Sequence, residues 1–169
     1  MNIPFRATLG AAFMSAVLLA SAGVASAASY LQASSTDEQL ATDPKPKVVM
    51  MNSTDASKNI KMDKGVVTVN ESGAFFFIAA AQVGGKAKGL VRLWMRVNGK
   101  DVDNSNTEQI ITDPSFTAVL VSQGVAELKR GDKVTIVFSG SEPGVGLVIK
   151  KPAGEPVVPS LILSGWRID

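Results

Sequence analysis

One stretch of the sequence, residues 65–83 (GVVTVNESGAFFFIAAAQV), restricts the possible folds more than any other. Two apolar runs flank the polar turn 70–73, and in the second run apolar side chains occupy both alternating sets of positions. Because successive side chains of a strand point to opposite faces of its sheet, both faces of this strand are apolar. Such a strand must be covered twice, either inside a sandwich or between a sandwich and a partner subunit. The sequence therefore predicts a central β-strand here.

The rest of the chain consists of short strand candidates separated by turn residues. The most regular alternation lies at 90–97, where one apolar set is expected to enter the core: Val91, Leu93, Met95 and Val97. Asn98-Gly99 predicts a tight turn after it. Two separate strands are predicted at 116–121 and 125–128, with a break at 122–124. No helical stripe follows residue 27, so we predict an all-β antiparallel β-sandwich or jelly roll.

The first 27 residues have the pattern of a cleaved signal peptide, with Arg6, an apolar stretch at 11–20 and the small-residue site Ala25-Ser26-Ala27. An uncleaved membrane anchor is the alternative, but the apolar core is short and interrupted. The mature protein is expected to be secreted, periplasmic or at the cell surface, without membrane insertion. Residues 28–47 are polar and rich in proline near their end, which predicts a linker or N-terminal arm. Residues 48–169 then form one domain.

Histidine and cysteine are both absent from the sequence. Disulfides, thiolate metal sites and Cys nucleophiles are therefore excluded, and general acid–base catalysis near neutral pH has few candidates. The composition favours a non-enzymatic protein without a cofactor, and export without disulfides favours a bacterial source. Of the 17 Lys and Arg residues, Arg6 alone lies in 1–27, so 16 remain against 15 acidic residues. A chain this close to neutral is not expected to bind nucleic acid.

Arg92, Trp94 and Arg96 share the face of 90–97 opposite to the core set, and they are the candidate binding residues. Each guanidinium lies about 7 Å from the indole along the strand, near enough for stacking. Such a surface suits a sugar ring, an anionic ligand or a neighbouring subunit. The alternative is an ordinary surface strand whose tryptophan is covered by its own arginine side chains.

Two further clusters are weaker candidates. Hard oxygen ligands occur close together at Asp101, Asp103, Asn104 and Glu108. Their spacing does not fit an EF-hand loop, so a solvated turn is favoured and no metal site is predicted. The lysine pairs Lys86/Lys88 and Lys150/Lys151 would bind a polyanion only if folding brought them together, and we favour a role in keeping loops soluble.

Four stretches, in order, resemble motifs of the C1q/TNF-like jelly-roll superfamily, in particular of its C1q globular-head branch. Gly73-Ala74-Phe75-Phe76-Phe77 is similar to the family's Gly-x-Tyr-x-Phe strand, with Phe75 in place of tyrosine. Residues 93–100 (LWMRVNGK) resemble its strand ending in Asn-Gly, and residues 126–134 (AELKRGDKV) resemble its leucine, basic pair, Gly-Asp and valine run. Residues 159–168, with Ser164-Gly165-Trp166, resemble its closing strand. The collagen stalk of the C1q branch is missing.

The resemblance implies a ten-stranded jelly roll, a compact homotrimer and a recognition role without catalysis. Two other functions stay open on the residues alone. One is a monomeric carbohydrate-binding or adhesin-like sandwich that works through Trp94. The other is an accessory subunit of a larger periplasmic or surface assembly that docks through 28–47. In each case the expected ligand is a protein or a glycan.

Overall fold

The computed structural model describes residues 28–169, so the predicted signal peptide at 1–27 lies outside the described residues. Within 28–169 the chain forms fourteen strand segments and no helix. The segments are β1 (Tyr30–Ser35), β2 (Gln39–Leu40), β3 (Lys47–Val48), β4 (Ser53–Lys58), β5 (Ile60–Asp63), β6 (Val66–Val69), β7 (Gly73–Gly85), β8 (Gly89–Val97), β9 (Lys100–Asp101), β10 (Thr107–Ile111), β11 (Ala118–Leu128), β12 (Lys133–Gly140), β13 (Val145–Leu147) and β14 (Leu161–Arg167). Residues 28–169 accordingly contain no helix that is long and apolar enough to cross a membrane.

The strands form two seven-stranded sheets in which every pairing is antiparallel. The β7 sheet has the order β11-β7-β14-β1-β4, with β13 and β2 continuing beside the end of β7. The β8 sheet has the order β10-β8-β12-β6-β5, with β3 beside β12 and β9 beside β8. Four segments have two or three residues (β2, β3, β9 and β13), which leaves ten longer strands, five in each sheet.

The core lies between the two sheets and is centred on β7. One alternating set of β7 is fully buried: Phe75, Phe77, Ala79, Ala81 and Val83. The facing side chains of the β8 sheet include Val91, Leu93 and Met95, as the alternation at 90–97 predicts. After β7 the chain crosses to the β8 sheet, returns at β11, crosses again at β12 and ends in β14. The predicted all-β antiparallel sandwich of jelly-roll type is confirmed.

Residues 28–47, for which the sequence predicts a linker or an N-terminal arm, are not a free linker. They contain β1, which pairs with β14 on one side and with the edge strand β4 on the other, inside the β7 sheet. Leu31, Ala33 and Ser35 of β1 are buried, whereas the intervening side chains include Gln32 and Ser34 on the other face. The composition is polar because only alternate positions face the core, and two of these buried positions hold small side chains. The polar composition of the segment therefore concealed an internal strand.

The two strands predicted at 116–121 and 125–128 are one continuous strand, β11, which pairs with β7 along its whole length. The predicted break contains Ser122, which is buried and donates a hydrogen bond from Oγ to the Ser105 carbonyl at 2.7 Å. It also contains Gly124, where an added Cβ would lie 2.9 Å from Met95 Cε. Polar and glycine residues serve core packing here, and the long partner strand keeps the segment extended.

Two turns that the sequence marks separately lie against each other. Asn98 and Gly99 form the β8–β9 turn with φ values of 50° and 80°. Asn98 Nδ2 donates to Asp132 Oδ1 at 2.9 Å, and the Lys133 backbone N–H donates to Asn98 Oδ1 at 2.9 Å. The Lys129 backbone N–H donates to Asp132 Oδ2 at 2.8 Å. The bonds from Lys129 and Asn98 favour the carboxylate and therefore hold the pKa of Asp132 below its usual value. The Lys129 bond has the larger effect.

Gly165→Ala tests the packing between the central strands. Gly165 lies opposite Phe77 in β14, and a Cβ added there would overlap the Phe77 ring. We expect this substitution to lower the free energy of unfolding by about 1–3 kcal/mol, the usual cost of overpacking a core. Chemical denaturation measures it. Ser164→Ala, on the opposite face of the same strand, should change the free energy of unfolding by less than about 0.5 kcal/mol.

The double variant Gly165→Ala/Phe77→Leu makes the test specific to this contact. Leucine at position 77 removes the ring that the new methyl group overlaps. Gly165→Ala should therefore be less destabilising in the Phe77→Leu background than in the wild type. Equal costs in both backgrounds would show that the two positions do not interact.

Asp132→Asn tests the hydrogen bonds that join the two turns. The folded-state pKa of Asp132 is lowered, so its stabilisation is complete above the unfolded-state pKa near 3.8 and disappears as the pH falls through the folded-state pKa. The variant should melt a few degrees below the wild type at pH 7, and the gap should shrink below about pH 4. Asp103→Asn is a control with the same change of charge on an exposed residue. If the difference in melting temperature between the wild type and Asp132→Asn does not depend on pH, the Asp132 carboxylate does not stabilise the turns through its charge.

Candidate functional site

The outer surface of the β7 sheet, opposite to the core, carries a continuous group of apolar side chains that we call the apolar face. Its members come from four neighbouring strands: Tyr30 of β1; Phe76, Ile78 and Ala80 of β7; Val119, Val121 and Val125 of β11; and Ile162 and Trp166 of β14. The strand register sets them side by side. Trp166 and Val125 lie on either side of Phe76, and Ile162 and Val121 lie on either side of Ala80.

Much of the apolar face is accessible to water in a single chain. Val119 exposes 62% of its surface and Trp166 exposes 42%. Phe76 and Ile78 are half-buried, and the rings of Phe76 and Trp166 are in contact with centroids 4.9 Å apart. Contiguous exposed apolar patches of this kind mark interaction sites, whereas single exposed apolar residues do not. The second face of β7 therefore has only partial cover within one chain.

Polar side chains on this surface are mostly uncharged. Between the apolar residues lie Gln82, Gln123 and Ser164, whereas Glu127 and Lys58 lie towards its periphery, paired with Ala74 and Tyr30. Depletion of charge at the centre of a patch and charged residues at its edge are typical of protein–protein interfaces.

A charged cluster holds one end of the apolar face in place. Arg167 Nη1 donates to Glu71 Oε2 at 3.2 Å, and Arg167 Nε donates to Asp169 Oδ1 at 2.6 Å. Ser29 Oγ also donates to Glu71 Oε1, and this bond is the main reason that the pKa of Glu71 is lowered. Because Arg167 follows Trp166 in the chain, these contacts fix the end of β14 and with it the position of the exposed indole.

The predicted binding residues lie on the outer surface of the β8 sheet. Trp94 exposes only 8% of its surface, and its Nε1 donates to Asp101 Oδ1 at 2.7 Å. The Arg96 guanidinium lies 5.5 Å from the centroid of the indole ring, and Arg96 Nε donates to the same Asp101 oxygen at 2.5 Å. Arg92 forms an ion pair with Glu108 at 2.6 Å. The three side chains share one face, as the alternation predicts.

Each of these three residues thus has a partner within the chain. The hydrogen bond from Arg96, followed by the one from Trp94, lowers the pKa of Asp101. The cover over Trp94 leaves little of the indole for stacking, which is the arrangement of a surface strand whose tryptophan is covered by its neighbours. Binding of an external ligand at Arg92, Trp94 and Arg96 stays a prediction.

The acidic residues near β9 are directed to different partners. Asp101 contacts Trp94 and Arg96, whereas Glu108 contacts Arg92. Among residues 28–169, no group of three or more His, Cys, Asp or Glu side chains could hold a metal ion.

Sequence reasoning missed the extent of the apolar face. The alternation at 75–83 predicts the two apolar sides of β7, but no pattern in the sequence places Tyr30, Val125 or Trp166 beside them. One signal was present in β11, where Val119 and Val121 alternate with the buried Leu120. Strands that are distant in sequence come together only through the sheet register, so no local pattern assembles this surface.

Comparisons with known proteins identify the fold. No protein-family model and no curated protein matches the sequence. Crystal structures of murine APRIL are similar to this chain: the structure at pH 5.0 has 14% identity and a TM-score of 0.58, and the one at pH 8.0 has 14% identity and a TM-score of 0.57. Each match covers 84% of this chain and 100% of the other.

The globular domain of zebrafish complement 1qA protein also matches, with 19% identity and a TM-score of 0.48 over 84% of this chain and 96% of that one. At 14% identity the similarity to murine APRIL describes the architecture alone. The described residues therefore have the C1q/TNF-like jelly-roll fold that the four motifs predict.

Proposed function

We propose that the protein is an exported, non-enzymatic binding module that works as a homotrimer, with the apolar face of each copy covered by its neighbours. The observation that carries the proposal is the apolar face itself. Export is supported by the signal-peptide pattern at 1–27. The number of subunits, three, comes from the family resemblance. The apolar face requires a cover but does not determine how many copies of the chain supply it.

A second copy of the chain is the occupant that the chemistry favours. Interfaces between permanent partners are more apolar than other interfaces and have few charges at their centre. The middle of the apolar face contains glutamine and serine between its apolar residues, with charges towards the edge. Burying a Val, Leu, Ile or Phe side chain contributes about 1.5–3 kcal/mol. Several such residues together offset the loss of translational and rotational freedom, about 4–15 kcal/mol.

Strand β11, at the edge of the β7 sheet, also favours association with another copy of the chain. β11 is eleven residues long, and Val119, Val121 and Val125 are exposed along it. Long exposed apolar edge strands promote uncontrolled association unless another element covers them. A closed symmetric oligomer provides that cover and ends the association at a defined size.

A binding role fits the surfaces that this association leaves accessible. If copies meet through the apolar face, the outer surface of the β8 sheet points away from the interface. The absence of histidine and cysteine removes the commonest catalytic side chains. Recognition by a rigid β-sandwich is therefore better supported than catalysis.

Val121→Lys tests the homotrimer. Val121 lies on the apolar face and exposes 38% of its surface in one chain. We expect light scattering after size exclusion to give the wild-type protein about three times the mass of one chain at micromolar concentration. Val121→Lys should shift it towards the monomer, because an ammonium group would be buried at the interface without a partner.

Val48→Lys is the matched control. Val48 exposes 39% of its surface and pairs with Val137 in the β8 sheet, away from the apolar face. The control should keep the wild-type mass, and both variants should retain the wild-type far-UV circular dichroism spectrum. A monomeric wild-type protein at micromolar concentration, or equal dissociation by both substitutions, would contradict the proposal.

A further inference from the structure

A small open cavity lies on the outer surface of the β8 sheet, on the opposite side of the sandwich from the apolar face. Its volume is about 270 Å³, and it is lined by Lys61 and Asp63 of β5, Val66 and Thr68 of β6, and Lys133 of β12. We call it the β5–β6–β12 basin. Its lining belongs to strands rather than loops, so the backbone under it is held by hydrogen bonds on both sides of β6.

The strand register places the polar residues of the basin in a row. Lys61 pairs with Thr68, and Thr68 pairs with Lys133. Neighbouring strands are about 4.8 Å apart, so the two lysine Cα atoms are separated by about 10 Å, with the threonine between them. Both ammonium groups can reach the space above the hydroxyl group. Asp63 and Val66 form the adjacent pair in the same two strands.

The basin carries a local positive charge. Neither Lys61 nor Lys133 takes part in an ion pair within residues 28–169, whereas Arg92 and Arg96 on the same surface are both paired. Two ammonium groups and a hydroxyl group give several hydrogen-bond donors for one anionic group. Asp63 supplies an acceptor at the other end, and half-buried Val66 supplies an apolar surface between them.

We propose that the β5–β6–β12 basin binds an anionic saccharide unit, with its carboxylate or sulfate group between Lys61 and Lys133. Thr68 donates to the same group, the sugar hydroxyls donate to Asp63, and the C–H face of the ring packs on Val66. The cavity has the size of a single sugar unit rather than of a drug-sized ligand. Since the basin does not include the apolar face, its occupancy does not depend on association of the chain.

Saturation-transfer NMR with D-glucuronate as the probe tests the site on the whole purified protein. We expect D-glucuronate to bind at least about tenfold more tightly than D-glucose, which lacks the charge. The affinity should fall as sodium chloride is added, because the two ammonium groups are exposed to solvent. Lys61→Gln/Lys133→Gln should weaken the binding of D-glucuronate at least tenfold. Lys45→Gln/Lys100→Gln removes the same charge from exposed positions outside the basin and should leave binding unchanged.

Asp63→Ala separates a saccharide site from a general anion site. It removes an acceptor for sugar hydroxyls and also a negative charge that repels anions. The variant should therefore bind D-glucuronate more weakly and inorganic sulfate more strongly than the wild type. Tighter binding of both probes would overturn the proposal, as would equal affinity for D-glucuronate and D-glucose or equal losses in the two lysine pairs.

The Val121→Lys variant separates this proposal from the homotrimer. Its monomers should bind D-glucuronate with the wild-type affinity per chain, because Val121 lies on the other sheet. Wild-type protein that is monomeric but binds D-glucuronate through Lys61 and Lys133 would overturn the homotrimer alone. A trimer with no preference for D-glucuronate would overturn only the saccharide site.

Discussion

The structure depends on the burial of one alternating set of side chains in β7. Phe75 and Phe77 are fully buried, and their rings stack with centroids 6.2 Å apart. β7 pairs with β11 along one edge and with β14 and β13 along the other, so its backbone polar groups are satisfied while its side chains fill the core. Removing β7 would separate the strands on its two sides.

Hydrophobicity alone does not determine which set of β7 side chains faces the core, because both sets are apolar. A shift of one residue in register would exchange them. Close contacts with glycine help to specify the choice: Phe77 packs over Gly165, and Met95 packs over Gly124. A larger residue at either glycine would occupy space that these side chains fill. Shape complementarity thus selects the register among arrangements that are similar in hydrophobic burial.

The two outer surfaces of the sandwich differ in chemistry. The outer surface of the β7 sheet is apolar at its centre, whereas that of the β8 sheet carries paired arginines and two lysines without ion-pair partners among the described residues. Self-association and recognition of a ligand can therefore use opposite sides of the same chain. A ligand bound on the β8 sheet would therefore not compete with a second copy of the chain bound on the β7 sheet.

Local patterns in the sequence determined the all-β class, the core set of β8, the Asn98-Gly99 turn and the two apolar sides of β7, because each depends on residues that are close along the chain. Only the tertiary structure showed that β1 is an internal strand, that β11 is continuous and that Trp94 is covered. The first two depend on partners distant in sequence, β14 beside β1 and β7 beside β11. The cover over Trp94 comes from nearby residues, but it depends on the β8–β9 turn bringing Asp101 back beside Trp94 and Arg96. The apolar face and the basin likewise exist only through register, since hydrogen-bonded pairing brings together side chains that no short segment contains.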